Sequence, residues 1–196
     1  YLYLFYGEYG YPGVYDEKTY TVQKEWSGQC ISIARIALKD LDHPVGKAKR
    51  WDGKSFSIAY DSYGVPVRSL QIPINEGGGG ASSPTGGFHW GPSVSWNTYL
   101  NCWVMMMGKV EGKSWQGDKI YISFNKHKDL GAGNNSQDWP KPELVFQKPG
   151  YILWYPSLQP LNDPNDIKEK YTSVKLGKRA RFFVKRIKPG DDEYAS

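Results

Sequence analysis

Residues Phe88–Asn97 read FHWGPSVSWN, and residues Tyr151–Leu158 read YILWYPSL. Both spell Trp-x-Pro-Ser followed by a branched aliphatic residue, at Trp90–Val94 and again at Trp154–Leu158. A motif that recurs at this distance is a signature of repeat architecture, and a missed repeat misassigns the whole fold.

The motif is one part of a longer match. GQCISIARIALKDL (Gly28–Leu41) and GDKIYISFNKHKDL (Gly117–Leu130) have equal length, begin with Gly, alternate Ile with other residues and end in Lys-Asp-Leu. Alternation of this kind predicts a strand followed by a turn. An aromatic strand precedes each, YLYLFYGEY (Tyr1–Tyr9) and TYLNCWVMMM (Thr98–Met107). A Trp-led outer strand follows each, KRWDGKSFSIA around Trp51 and QDWPKPELVFQ around Trp139.

Four such strands make an antiparallel blade, the unit of a β-propeller. The expected fold is therefore all-β, a single partial β-propeller domain of four-stranded antiparallel blades. Blade A covers about residues 1–64, a loop 65–87, blade B 88–148 and blade C 149–190. Blade A lacks its innermost strand, and blade C has two strands, near Tyr155–Pro160 and Arg179–Ile187. That is about two and a half blades, where a closed ring uses about 4 to 8. Either the chain belongs to a longer one, or two copies complete about five blades between them. The second case predicts a homodimer of twice 22.3 kDa.

Composition agrees with an all-β chain. Aromatic residues make up 15%, and 22 Gly with 13 Pro supply turns, a mixture of strand and turn formers. The net charge of +5 is spread along the chain. Its one dense cluster, KLGKRARFFVKRIK (Lys175–Lys188), reads as a strand with a solvated basic face rather than a nucleic-acid site. Cys30 and Cys102 form no disulfide framework or metal spacing and are expected as buried thiols. No apolar run is long enough for a membrane span. The chain opens inside YLYLFYG without an initiator Met, which predicts that upstream sequence has been removed, and no compartment follows.

Long insertions, Glu8–Gly28 and Val65–Gly87, separate the strands. The run Gly77–Gly80 inside the second reads as linker, because no Gly-Lys-Ser/Thr follows it. Three kinds of candidate site residue emerge. His89 is expected at the channel mouth as ligand contact or base, with Glu8 and Glu25 as carboxylates for acid work. Trp90, Trp154 and Tyr155 offer flat faces to a ring, although inter-blade packing is the plainer reading of the tryptophans. Ser93 and Ser157 stand beside them, and Arg68 is a candidate clamp for an anion or carbonyl. Asp16 with Glu17 would feed oxygen ligands to Ca²⁺, the one cofactor expected.

The segment WGPSVSWNTYLNCWVMMM (Trp90–Met107) resembles the blade opening of five-bladed propeller glycoside hydrolases of the family 43 type, and YLYLFYGEY, KIYISF and DWPKPELVF are similar to later strands of those blades. The resemblance implies a hydrolase acting on a carbohydrate or carbohydrate-like ring, through two carboxylates about 6.5 to 9.5 Å apart in an inverting enzyme. Where that family carries Asp in Trp-Ala-Pro-Asp, this chain carries Ser93 and Ser157. The alternatives are a calcium-dependent lactone or ester hydrolase on the same scaffold, and a non-catalytic glycan-binding propeller or inactive fragment.

Overall fold

A computed structural model describes residues 1–8, 30–59, 88–110, 117–133, 136–137, 139–161 and 172–190. The chain is all-β. Eleven strands occur among the described residues: β1 (Leu2–Glu8), β2 (Cys30–Ile36), β3 (Lys49–Trp51), β4 (Phe56–Ala59), β5 (Phe88–Asn97), β6 (Cys102–Val110), β7 (Lys119–Asn125), β8 (Glu143–Gln147), β9 (Ile152–Pro160), β10 (Lys175–Leu176) and β11 (Ala180–Ile187). They form a first sheet β1-β2-β3-β4, a central sheet β10-β5-β6-β7-β8 and a last sheet of β9 and β11. Every pairing is antiparallel except β10 on β5. Among the described residues no helix is long and apolar enough to cross a membrane.

The sequence repeat is also a repeat of hydrogen-bond register. Leu2, Leu4 and Tyr6 of β1 lie opposite Ile36, Ala34 and Ser32. Trp103, Met105 and Met107 of β6 lie opposite Asn125, Ser123 and Tyr121. Aligned from Gly28 and Gly117, each of the β2 residues falls on the corresponding β7 residue, so Leu2, Leu4 and Tyr6 are the equivalents of Trp103, Met105 and Met107. Since side chains alternate along a strand, equal register gives both sheets the same two faces.

Those faces stack in order. Ile31, Ile33, Trp51 and Phe56 of the first sheet pack with Met105, Met107, Leu130 and Trp139 of the central region, flanked by Tyr3, Phe5 and Val94. Met106 and Ile120 point the other way and pack with Leu153, flanked by Ile122, Leu158 and Val184. The central sheet is therefore covered on both faces. A polar tie reinforces the first contact: the Tyr3 hydroxyl donates to Asp129 Oδ1 at 3.2 Å, and the Gly131 amide donates to the same oxygen at 2.8 Å. The edge of β5 is closed by the segment that includes β10. Trp96 N donates to Val174 O at 2.9 Å, Thr98 N to Leu176 O at 2.8 Å and Ser95 Oγ to Ser173 O at 2.6 Å. A paired edge cannot recruit a foreign strand.

Local details depart from the expected strands. The Trp51 segment is a hairpin, β3 and β4, because the Asp52 carboxylate accepts from the amides of Lys54 and Ser55 and from the hydroxyls of Ser55 and Ser57 while Gly53 takes φ +96°. These bonds hold the Asp52 carboxyl far below the usual carboxylate range, the Ser57 hydroxyl contributing most. The aromatic strand begins at Cys102, not Thr98: Asn97 Oδ1 accepts from the amides of Tyr99 and Leu100, and Asn101 takes φ +53°. The strands expected near Tyr155–Pro160 and Arg179–Ile187 are β9 and β11. Cys102 is buried with a free thiol, while nothing is described of the Cys30 side chain.

The two Lys-Asp-Leu copies differ in what covers them. Leu130 is 1% exposed under the first sheet, whereas Leu41, its equivalent, is 41% exposed. With Leu2, Leu4, Ile36, Pro44 and Ala48 it lines an apolar cavity of about 380 Å³ on the outer face of the first sheet. Leu130→Ala is expected to lower stability by about 2–5 kcal/mol, and Leu41→Ala by less than about 1 kcal/mol. Urea melts of the two variants in dilute solution measure the contrast, and equal losses would contradict the packing described.

Candidate functional site

The two Trp-x-Pro-Ser copies form the same backbone device. In the central sheet Trp90 lies opposite Gly108 and Ser93 opposite Met106, so Gly91 and Pro92 together face Met107 alone. In the last sheet Trp154 lies opposite Lys185 and Ser157 opposite Phe183, so Tyr155 and Pro156 face Val184. Both are β-bulges, two residues against one. Proline suits such a position because it has no N–H to give to a ladder. The residue before it is left-handed in both copies, Gly91 at φ +59° and Tyr155 at φ +52°. The motif was expected at the start of an innermost strand. It lies instead within a strand, where the bulge redirects the chain and the preceding Trp.

Glycine adopts that conformation freely, but for an L-residue it costs roughly 1–2 kcal/mol. Tyr155 carries this strain while 58% exposed, so burial of its ring offsets little of it. What it gains is aromatic contact. The Tyr155 ring centroid is 5.6 Å from Trp90 and 5.9 Å from Trp154, and the two tryptophans are 5.8 Å apart at 86°. All three pairs are edge-on, an arrangement worth about 0.5–1.5 kcal/mol each. In each pair the edge of one ring meets the face of the other, so the three rings hold one another at steep angles. The result is a compact aromatic triad, two members half-buried and one exposed, built where two bulges meet.

Trp90 reaches this place because Gly108 has no side chain. A Cβ on Gly108 would stand 3.3 Å from Trp90 Nε1 and 3.6 Å from the Leu153 carbonyl oxygen. Trp90 therefore packs between the central and last sheets and also joins the triad. Ser93 and Ser157 follow on the same strands, half-buried, as ladder partners of Met106 and Phe183.

His89 is not at a mouth. It is 2% exposed, with its ring edge-on to Tyr121 at 5.0 Å, and neither ring nitrogen has a hydrogen-bond partner among the described residues. Burial above all, and then the positive charge of Lys109, lowers its pKa to about 3. The imidazole is thus neutral at physiological pH and too weak a base for proton abstraction there. Glu8 ends β1 opposite Cys30, and nothing is described of its side chain. Glu25, Arg68, Asp16 and Glu17 lie outside the described residues. Among the described residues no cluster of three or more His, Cys, Asp or Glu could hold a metal ion.

Two features of the site were not read from the sequence: Lys185 opposite Trp154, and Gly108 under Trp90. Both need strand register, to which the repeat in register would have been the only guide.

A histidine buried neutral destabilises the fold in acid. Its folded pKa lies below the unfolded value, so the unfolded chain binds the extra proton, and stability falls as pH drops from about 6.5 toward about 3. Between pH 7 and pH 5 this amounts to about 2 kcal/mol. His89→Leu is expected to remove that slope, whatever its effect on stability at pH 7. Denaturant melts of both proteins at the two pH values provide the check, and parallel slopes would contradict the buried neutral imidazole.

No family model, no curated protein and no solved structure matches this chain. What the site does has to be read from its own residues.

Proposed function

We propose that the three sheets are consecutive blades of a β-propeller, and that the triad Trp90, Trp154 and Tyr155 binds a carbohydrate or carbohydrate-like ring. The blade reading is supported by the shared register of the first and central sheets and by the shared bulge of the central and last. It also accounts for the outer face of the first sheet, where Leu2, Leu4, Ile36 and Leu41 occupy the positions that a preceding sheet covers in the central one. A second copy is the partner offered for that face. Its signature is a particle of twice 22.3 kDa in sedimentation, and a monomer that melts cooperatively removes it.

The observation that carries the binding reading is Tyr155: a bulky residue in a left-handed conformation, exposed, beside two tryptophans. Strain held at an exposed position points to use rather than to packing. An aromatic face is the negative end of a quadrupole and suits the polarised C–H groups of a sugar ring.

Binding is favoured over hydrolysis. Glycoside cleavage takes a pair of carboxylates, and the motif positions that a family 43 type enzyme fills with Asp hold Ser93 and Ser157. A serine does no acid or base work without a neighbouring base. Calcium-assisted opening of a lactone would draw on Asp16 and Glu17, with Glu25 as the accompanying carboxylate.

Titration of tryptophan fluorescence with oligosaccharides tests the proposal, beside turnover assays on aryl glycosides and lactones with added Ca²⁺ and with chelator. A saturable fluorescence change is expected, weakened at least about tenfold, or 1.4 kcal/mol, in both Trp154→Ala and Tyr155→Gly. Tyr155→Gly is expected to change stability by less than about 1 kcal/mol, because relief of backbone strain and loss of ring contacts oppose each other. Chelator-sensitive turnover would favour the lactonase reading, and unaltered sugar affinity in Tyr155→Gly would remove the triad as the site.

A further inference from the structure

The contacts of the first sheet with the central one, and of the central one with the last, are built from equivalent positions. Phe5 of β1 lies opposite Ile33, Met106 of β6 opposite both Ile122 and Ser93, and Phe183 of β11 opposite Ser157. Ile33 matches Ile122 in the alignment from Gly28 and Gly117, and Ser93 matches Ser157 in the two Trp-x-Pro-Ser copies. Phe5, Met106 and Phe183 are therefore one position in three sheets. By the same count Leu4, Met105 and Phe182 are the neighbouring position, which faces the other way.

The first position projects from each sheet onto the next. Phe5 packs on the core that includes Met105, Met107 and Leu130, with its ring edge-on to Trp139 at 5.8 Å. Met106 packs on Leu153, flanked by Leu158 and Val184. Phe183, by contrast, is 50% exposed. The second position is open at the opposite end. Met105 is buried under the first sheet, and the Phe182 ring meets Phe146 of the central sheet at 5.7 Å. Leu4 is 43% exposed, in the wall of the apolar cavity that Leu2, Ile36 and Leu41 also line. One end of the stack thus presents a bare aromatic knob and the other a bare apolar socket, at the positions that join knob to socket twice within the chain.

We propose that a second copy docks head to tail, with Phe183 of one copy seated against Leu2, Leu4, Ile36 and Leu41 of the other. This rests on the second-copy reading above and specifies the surface that the other copy brings. Burial of an aromatic ring on aliphatic side chains is favourable without regard to charge. Pairing of socket with socket would leave Phe183 in solvent, whereas head-to-tail docking covers both surfaces and repeats a contact the chain already makes. A head-to-tail contact closes into a ring or runs on as a filament. Closure by two copies seats both Phe183 rings, and about five blades fall within the range of closed propellers.

Sedimentation of the full chain across micromolar concentrations tests this, with Phe183→Asp and Leu4→Lys beside it. The unaltered chain is expected as a particle of twice 22.3 kDa, little affected by salt because no charge carries the contact. Each variant alone is expected to be a monomer, its dissociation constant raised at least about tenfold. Mixed in equal amounts at the upper end of the range, the two variants are expected to pair again. The Leu4→Lys copy still offers the ring, the Phe183→Asp copy still offers the socket, and the remaining contact sets Asp against Lys. Cooperative melts show that the variants keep the fold, and Leu41→Ser replaces Leu4→Lys if that copy does not fold. A pair that persists in Phe183→Asp, or variants that stay monomeric when mixed, overturns head-to-tail docking and leaves the second-copy reading intact. A monomer of the unaltered chain overturns both.

Discussion

Burial of β6 on both faces is the constraint on which the rest of the structure depends. Met105 and Met107 turn toward the first sheet and Met106 toward the last, all three at 3% exposure or less. Removing such side chains from water contributes about 1.5–3 kcal/mol each, and one strand buried twice over couples three sheets into a single packing problem. Methionine suits this position: an unbranched, polarisable chain fills the irregular gaps between sheets that are not identical. A slip of one residue in the register of β6 would exchange the two faces at once, so the pairings on either side are specified together.

The bulge motif is the second constraint, and it works on the backbone. Two residues against one, with proline in second place, turn the preceding tryptophan out of the ladder's ordinary path. The central copy meets the left-handed requirement with glycine and covers its tryptophan with the last sheet. The last copy meets it with tyrosine and leaves that ring in solvent. The same device thus serves packing in one sheet and display in the other. The ladder partners differ as well, since the bare Gly108 lies under Trp90 and the exposed Lys185 stands opposite Trp154.

The buried His89 belongs to the packing rather than to the display. Adjacent residues of a strand face opposite ways, so His89 turns to Tyr121 while Trp90 turns to the triad. Its neighbours provide an aromatic edge and a lysine charge but no carboxylate or carbonyl partner among the described residues. A functional group that looked poised for chemistry by its place in the motif is held neutral by burial.

The sequence alone determined the strand order within each unit, the repeat and its equivalences, and a strand near Arg179–Ile187, whereas the Lys175–Lys188 run read as one basic strand is two, β10 on β5 and β11 on β9. These depend on local alternation, on Gly and Pro punctuation and on spacing, all of which are written along one chain. The Asp-Gly at 52–53 and the Asn residues at 97 and 101 also carried turn signals that would have placed the hairpin and the late start of β6. Only the tertiary structure decided that Trp-x-Pro-Ser is a bulge, that His89 faces inward, and that Leu130 is covered where Leu41 is open. A bulge is defined by the count of residues on the partner strand, and burial by what lies across a sheet. Both are relations between segments distant in sequence, and neither is encoded in the residue types of one segment.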